Sequence, residues 1–144
     1  MFDLARFARA QAGTFSSAVE ELRAGRKRTH WMWFVFPQLK SLGVSPTAQL
    51  YGLSGLDEAI AYLEHTVLGP RLQAALEAVD ASGAPSLYAL FGAPDDRKFC
   101  ASMTLFAGAD PDGPYQGAID RWCGGESDPR TVALFGQAAR REAF

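Results

Sequence analysis

Apolar residues recur along this chain at helical spacing, in short blocks separated by Gly, Pro, Ser and Asp. Phe2, Leu4 and Phe7 predict an N-terminal helix. Phe15, Val19 and Leu22 predict a second, with Ser17 and Glu20 spaced like a capping box and Gly25 ending it. Ser54-Gly-Leu-Asp57 opens the clearest amphipathic stretch, in which Leu56, Ile60 and Leu63 share a face with Ala59 beside them. Gly69-Pro70 stops that segment and starts another, because proline suits a first helical turn; Leu72, Leu76 and Val79 form its stripe. A short helix around Ser86–Phe91 ends at Gly92, and Pro94-Asp95 begins one that carries Phe99, Met103 and Phe106 inward. A further short helix is predicted between Pro114 and Trp122. Asp128-Pro129 reads as an N-cap followed by proline at the first helical position, with Val132, Phe135 and Ala139 on one face of the last helix.

Only residues 31–36 have strand-like composition, and six consecutive large apolar residues suit a buried strand or a buried helical turn equally. Pro37 biases Phe36 toward an extended conformation. No second segment of comparable strength offers a strand partner, and a lone strand leaves its backbone unsatisfied. The expected fold is therefore mainly α: a compact single-domain helical bundle of about six to eight short helices over residues 1–144, with little or no sheet.

Composition adds exclusions. A chain of 144 residues with 48% apolar and 21% charged residues fits one globular domain. A net charge of -2 argues against broad nucleic-acid or anionic-membrane binding. No apolar run approaches the ~20 residues of a membrane span, and the N-terminus lacks a signal-peptide pattern, so a soluble, cytoplasmic protein is expected. Cys100 and Cys123 match neither a zinc spacing nor C-x-x-C, and read as two buried thiols in a reducing compartment. His30 and His65 belong to no local metal-binding arrangement, and no Rossmann or Walker pattern occurs; no metal or cofactor is expected. His65, near a helix C-terminus, is expected to act as a favourable cation there.

Three constellations could carry chemistry. The first is Gly25 to Leu39, where the cations Arg23, Arg26, Lys27 and Arg28 run into His30 and an aromatic block. Lys27 and Arg28 suit phosphate or carboxylate, Trp31 or Trp33 could stack on a ring, and His30 could bind or transfer a proton. Gln38 emerges after Pro37 as a polar group that needs partners. A solvated helix C-terminus followed by a core segment explains the same residues without a ligand. The second is Asp95 to Phe106, where Asp95, Lys98 and Ser102 fall on one helix face that could turn Lys98, Ser102 and Thr104 toward a pocket; an Asp–Lys surface pair is the simpler alternative. The third is Asp120 to Thr131, where Gly124-Gly125 permits a tight turn before a helix start that could attract an anion, although Asp128 puts a negative charge there.

These motifs carry a resemblance. Leu22 to Leu39, Leu56-Asp-Glu-Ala59 with Tyr62-Leu63 and His65, Leu68-Gly-Pro-Arg-Leu72, Asp95 to Phe106 and Asp120 to Thr131 together resemble the bacterial and fungal family called domain of unknown function 1810, some of whose members have been labelled calpastatin. The resemblance implies a compact helical domain and no established activity. Two positions depart from the family pattern: Thr66 stands where a proline usually follows the histidine, and Ala101 replaces the first serine of S-S-M-T-L-F. More distantly, Asp120, Trp122, Gly124, Gly125 and Leu134-Phe-Gly136 are similar to the close of the YbiA-like, or NADAR, group, which is associated with ADP-ribose derivatives and N-glycosidic bonds.

Two functions fit these readings. In the first, a pocket binds a phosphorylated nucleoside or an ADP-ribose-like ligand, with Lys27, Arg28, Trp31, Trp33, Gln38, Lys98 and Ser102 as binding residues. Any catalysis would be hydrolysis at an anomeric carbon, with His30 and Asp120 or Asp95 in catalytic roles. In the second, the aromatic block is a docking surface for another protein, without catalysis.

Overall fold

A core of leucine, alanine and aromatic side chains gathers a set of short helices around one longer helix. The computed structural model describes residues 2–135. Its helices are α1 (Ala5–Ala12), α2 (Phe15–Arg23), α3 (Met32–Val35), α4 (Pro46–Tyr51), α5 (Leu56–Glu64), α6 (Leu68–Asp80), α7 (Leu87–Phe91), α8 (Asp95–Ala109) and α9 (Tyr115–Trp122), with a 3-10 turn at Lys40–Leu42. Residues 129–135 are also helical and are called α10. No strand occurs among the described residues, where one isolated parallel bridge pairs Leu39 with Leu53. The architecture is all-helical, as expected. The helices outnumber the expected six to eight because α3 and α4 are too short for an apolar period to announce them.

Helix α8 is the hub. Every residue from Ala101 to Phe106 is buried, so it is covered on all sides, as a central helix must be. Helices α5, α7 and α9 pack against it, while α6 backs both α2 and α5. Phe99, Met103 and Phe106 point inward as expected. The Ser86 hydroxyl accepts from the Ala89 N–H at 3.1 Å to start α7, and Gly92 ends it at φ 73°, a conformation that glycine adopts without a steric penalty. Asp128 caps α10 as expected: Oδ2 accepts from the Thr131 N–H at 2.9 Å and from its hydroxyl at 2.6 Å. No helix among the described residues is long and apolar enough to cross a membrane.

Several local expectations are corrected. Helix α2 starts at Phe15 with Thr14 before it and no side-chain cap, so Ser17 and Glu20 form no capping box. In α5 the buried residues are Glu58, Ala59 and Tyr62, whereas Ile60 is 39% exposed. The helix is turned by what it must bury: the Glu58 carboxylate reaches Arg6, and the Tyr62 hydroxyl accepts from buried Gln11 at 3.1 Å. Leu56 and Leu63 flank the core instead of centring on it. Helix α6 begins at Leu68, ahead of Gly69-Pro70. A Cβ at Gly69 would lie 2.2 Å from the Leu63 carbonyl oxygen, so only glycine fits that crossing. His65 stands at the C-terminus of α5, where its Nδ1 accepts from the Val67 and Leu68 N–H groups at 3.1 and 3.2 Å and ties the end of α5 to the start of α6. Val132 is exposed, and Thr131 takes the inner position of α10; Ala139 lies outside the described residues.

Cys100 and Cys123 are not separate buried thiols. They form a disulfide with Cα atoms 6.0 Å apart, and both are half-buried. The reason is topological. Helices α8 and α9 form an antiparallel hairpin, which returns the end of α9 to the second turn of α8, a proximity no local spacing reveals. Asp128 then reinforces the junction, its N–H donating to the Thr104 hydroxyl at 2.8 Å, which itself donates to the Cys100 carbonyl at 2.8 Å.

Candidate functional site

The segment from Arg23 to Leu39 folds so that its cations part company. Gly25 adopts φ 84° after α2, and residues 26–28 then run without helical structure. Lys27 turns inward while its neighbours Arg26 and Arg28 face solvent. Only 8% of the Lys27 side chain is exposed: Nζ lies 3.0 Å from Asp95 Oδ2, donates to the Thr29 carbonyl at 2.6 Å and sits 5.1 Å from the centre of the Trp31 ring. The Lys27 N–H also donates to the Leu90 carbonyl at 2.7 Å. This lysine anchors the loop to the start of α8.

Glu21, on the last turns of α2, holds the other side of the loop. Its carboxylate accepts from the Arg28 and Thr29 N–H groups at 2.6 and 2.8 Å, from the Thr29 hydroxyl at 2.6 Å and from the Trp31 indole at 3.2 Å. Desolvation alone would raise the carboxyl's pKa. The hydrogen bonds from Thr29, Arg28 and Trp31 outweigh it and hold the group at about 2 rather than the usual 4.5. Because the folded pKa is depressed, this stabilisation is complete above about pH 4.5 and is lost as the pH falls toward 2. Glu21→Gln should therefore cost about 2 kcal/mol at pH 7, discounted for solvent screening, and much less at pH 3. Urea unfolding at the two pH values measures the difference.

The aromatic block is one helical turn, not a strand. Trp31 precedes α3, and Met32, Val35 and Phe36 go into the core. Buried Gln11 fixes this turn by donating from Nε2 to the Phe34 carbonyl at 2.6 Å while its Oε1 accepts from Arg71 at 3.3 Å. Burial pushes the neighbouring Tyr62 hydroxyl well above the ordinary phenol range, so it stays a neutral partner in that network. Trp31 and Phe36 are at most 1% exposed. Trp31 therefore has no free face on which a ligand ring could stack, and neither it nor Phe36 can take part in a docking surface. Trp33 is the indole that stays half-buried.

Trp33 lines a hollow between α3, α4 and the start of α8. Met32, Phe36, Gln38, Tyr51 and Lys98 share in its wall. The Lys98 ammonium lies 5.5 Å from the centre of the Trp33 ring and 3.7 Å from Asp95 Oδ1. Asp95 thus stands between two lysines, gripping Lys27 closely and Lys98 loosely. The hollow is partly open to solvent, with about 10 Å³ of space, room for one water molecule.

Among the expected site residues, Trp33, Gln38 and Lys98 come together at this hollow, with Asp95 and Lys27 behind them. The rest do not join. Arg28 and His30 are exposed on the loop and line no part of it. Ser102 is fully buried inside α8, with its hydroxyl unpaired among the described residues, because α8 is covered on that side too. Thr104 ties α8 to the start of α10 rather than facing a pocket. Asp120 is exposed on α9 and accepts from Gln116 at 3.2 Å, with no contact to the hollow among the described residues. The expected catalytic group of His30, Asp120 and Asp95 is therefore not assembled. Nor do the Gly124-Gly125 turn and the start of α10 offer an anion site, since the Asp128 carboxylate already takes the Thr131 N–H. The 40–52 segment was missed. Its signal was Ser45-Pro46, a cap and first-position proline of the same type as Asp128-Pro129. No group of His, Cys, Asp or Glu side chains among the described residues could hold a metal ion.

Residues 1–135 match the family model described as protein of unknown function DUF1810. The chain belongs to that family. It is also similar to the conserved hypothetical protein Rv1873 of Mycobacterium tuberculosis, a crystal structure at 55% identity that covers 92% of this chain and 96% of its own, with a TM-score of 0.89. No curated protein matches the chain significantly. The DUF1810 match spans all the elements that build the hollow, including both Lys98 and α4.

Proposed function

We propose that this DUF1810 protein binds a small phosphorylated ligand of the nucleoside or ADP-ribose type at the Trp33–Lys98 hollow. One observation supports this above the others. Lys98 is a partly exposed cation held loosely, 3.7 Å from Asp95 and 5.5 Å from the Trp33 ring centre, at the rim of a hollow that also presents the Gln38 amide. A cation beside an accessible aromatic face is what a charged ligand with a planar ring requires. Lys98 would move from Asp95 to a phosphate oxygen, Trp33 would stack on the ring, and Gln38 would donate and accept at the ligand's edge. The distant resemblance to the NADAR group points toward the same ligand class.

Binding, rather than hydrolysis, is the role this arrangement favours. Attack at an anomeric carbon calls for a carboxylate free to stabilise an oxocarbenium-like transition state. Asp95, the nearest, is neutralised by Lys27 at 3.0 Å and by Lys98.

The test is thermal stabilisation by ADP-ribose, ADP and ribose 5-phosphate. At a hundredfold excess over Kd the gain should be about 2.7 kcal/mol. Lys98→Ala and Trp33→Ala should abolish it, whereas Arg28→Ala and His30→Ala should leave it intact. No stabilisation at millimolar ligand, or a shift that survives Lys98→Ala, would overturn the proposal.

A further inference from the structure

The segment from Lys40 to Tyr51 is twelve consecutive residues without a buried one, the longest such run among the described residues. Its hydrogen bonds close on itself. The Gln49 side-chain amide donates to the Lys40 and Gly43 carbonyls at 3.1 and 2.6 Å, and the Ser45 hydroxyl accepts from the Ala48 N–H at 3.1 Å. Gly43 packs so tightly on Ala48 that a Cβ there would sit 2.4 Å from the alanine's own. Residues 43–49 make no hydrogen bond to the body of the protein among the described residues.

Hydrogen-bonded attachment lies near the two ends, and the Leu42 side chain packs on the core beside the first, where its N–H donates to the Leu39 carbonyl at 3.1 Å. At the base, the Lys40 N–H donates to the Leu53 carbonyl at 2.8 Å and the Leu53 N–H to the Gln38 carbonyl at 2.9 Å. At the far leg, Arg6 binds the Leu50 and Gly52 carbonyls at 2.7 and 3.0 Å, and the Tyr51 ring packs on Phe34 and Phe7. The inner face of this unit, through Ala48, Tyr51 and Gly52, forms one wall of the hollow; Met32, Trp33, Phe36, Gln38 and Lys98 form the other.

We infer that residues 40–49 are a hinged lid, pinched at the Leu39–Leu53 bridge, whose outward swing enlarges the hollow enough to admit a ligand. The inference rests on the binding reading above and supplies what that reading needs, since the hollow as it stands has room for only one water. A unit bonded internally, with no fully buried residue and hydrogen-bonded to the body only near its ends, opens at low free-energy cost while the core stays intact. Opening draws Ala48 away from Trp33 and leaves the Lys98 side unchanged.

Hydrogen exchange on the full chain, with no ligand present, tests the lid by itself. The amides of Gly43, Ala48 and Gln49 should exchange at least about 100-fold faster than those of residues 101–106 in α8. Gln49→Ala removes both internal side-chain bonds without touching the hollow, and should speed lid exchange about tenfold. Gly52→Ala places a Cβ 2.4 Å from the Lys40 Cα and should pry the base open with the same signature, α8 staying unchanged. ADP-ribose should slow lid exchange and leave α7 unaffected. Lid amides as slow as those of α8, or faster exchange spread evenly over the whole chain in Gln49→Ala, would overturn the lid. Fast, localised lid exchange with no response to ADP-ribose would uphold the lid and count against the binding reading alone.

Discussion

Arg6→Ala should lower stability by about 3–4 kcal/mol, an unusually large loss for a residue near the chain's start. The Arg6 guanidinium lies 3.1 Å from Glu58 Oε2, and the two side chains are only 15% and 5% exposed. Arg6 also donates to the Leu50 and Gly52 carbonyls and to that of Asp3. Without it, the Glu58 carboxylate keeps one donor, the Ser54 N–H at 2.8 Å, and stays inside the protein as an uncompensated charge. Removing one partner of such a pair is costly because the other remains desolvated, whereas removing both is not. The double variant Arg6→Met with Glu58→Leu should therefore recover at least half of the loss, leaving about 1 kcal/mol for the orphaned carbonyls. Urea unfolding of wild type, Arg6→Met, Glu58→Leu and the double completes the cycle. A loss below 1 kcal/mol for Arg6→Ala would mean that the pair behaves as an exposed one, and this account of α5 would be wrong.

That pair also marks the limit of what the sequence makes legible. Caps and stops are local, so Ser86, Gly92 and Asp128-Pro129 announce their helix ends, and the Phe99, Met103, Phe106 stripe announces the inner face of α8. Glu58 and Arg6 stand 52 positions apart, and no pattern in either helix says that a glutamate goes inward. The large aliphatics of α5 therefore suggest a face slightly rotated from the real one. The site was half legible for a related reason. Composition identifies a block of cations and indoles, but which of them turn inward depends on backbone conformation. Lys27 is drawn inward by Asp95, and Trp31 by its indole bond to Glu21, while Trp33 keeps an edge at the hollow. Lys98 and Trp33 meet because the Lys27–Asp95 pair and the Phe36–Phe99 contact dock the segment against α8. A contact of that kind belongs to the tertiary structure, and residue chemistry can at most nominate its members.

Reduction of the Cys100–Cys123 disulfide should lower stability by about 3 kcal/mol. The bond closes a loop with a sequence separation of 23, and a cross-link of that span restricts the unfolded chain by about that amount. For a chain of this length the melting temperature should fall by roughly 6–12 °C. The fold should survive, because α9 keeps other fastenings: the Trp122 indole donates to Asp80 Oδ1 at 2.8 Å, and Tyr115 and Ile119 stay in the core. The effect should be local in the native state, centred on the Gly124-Gly125 turn and the Thr104–Asp128 hydrogen bond that seats α10. Calorimetry with and without a dithiol reductant measures the loss. The double variant Cys100→Ala with Cys123→Ala supplies the control, since it should melt near the reduced wild type and ignore the reductant. If two free thiols titrate in the reduced protein and its melting temperature does not move, the link between α8 and the end of α9 adds nothing to stability. The α8–α9 hairpin would then be held by its apolar face alone, and Cys123→Ser should be as stable as the oxidised wild type.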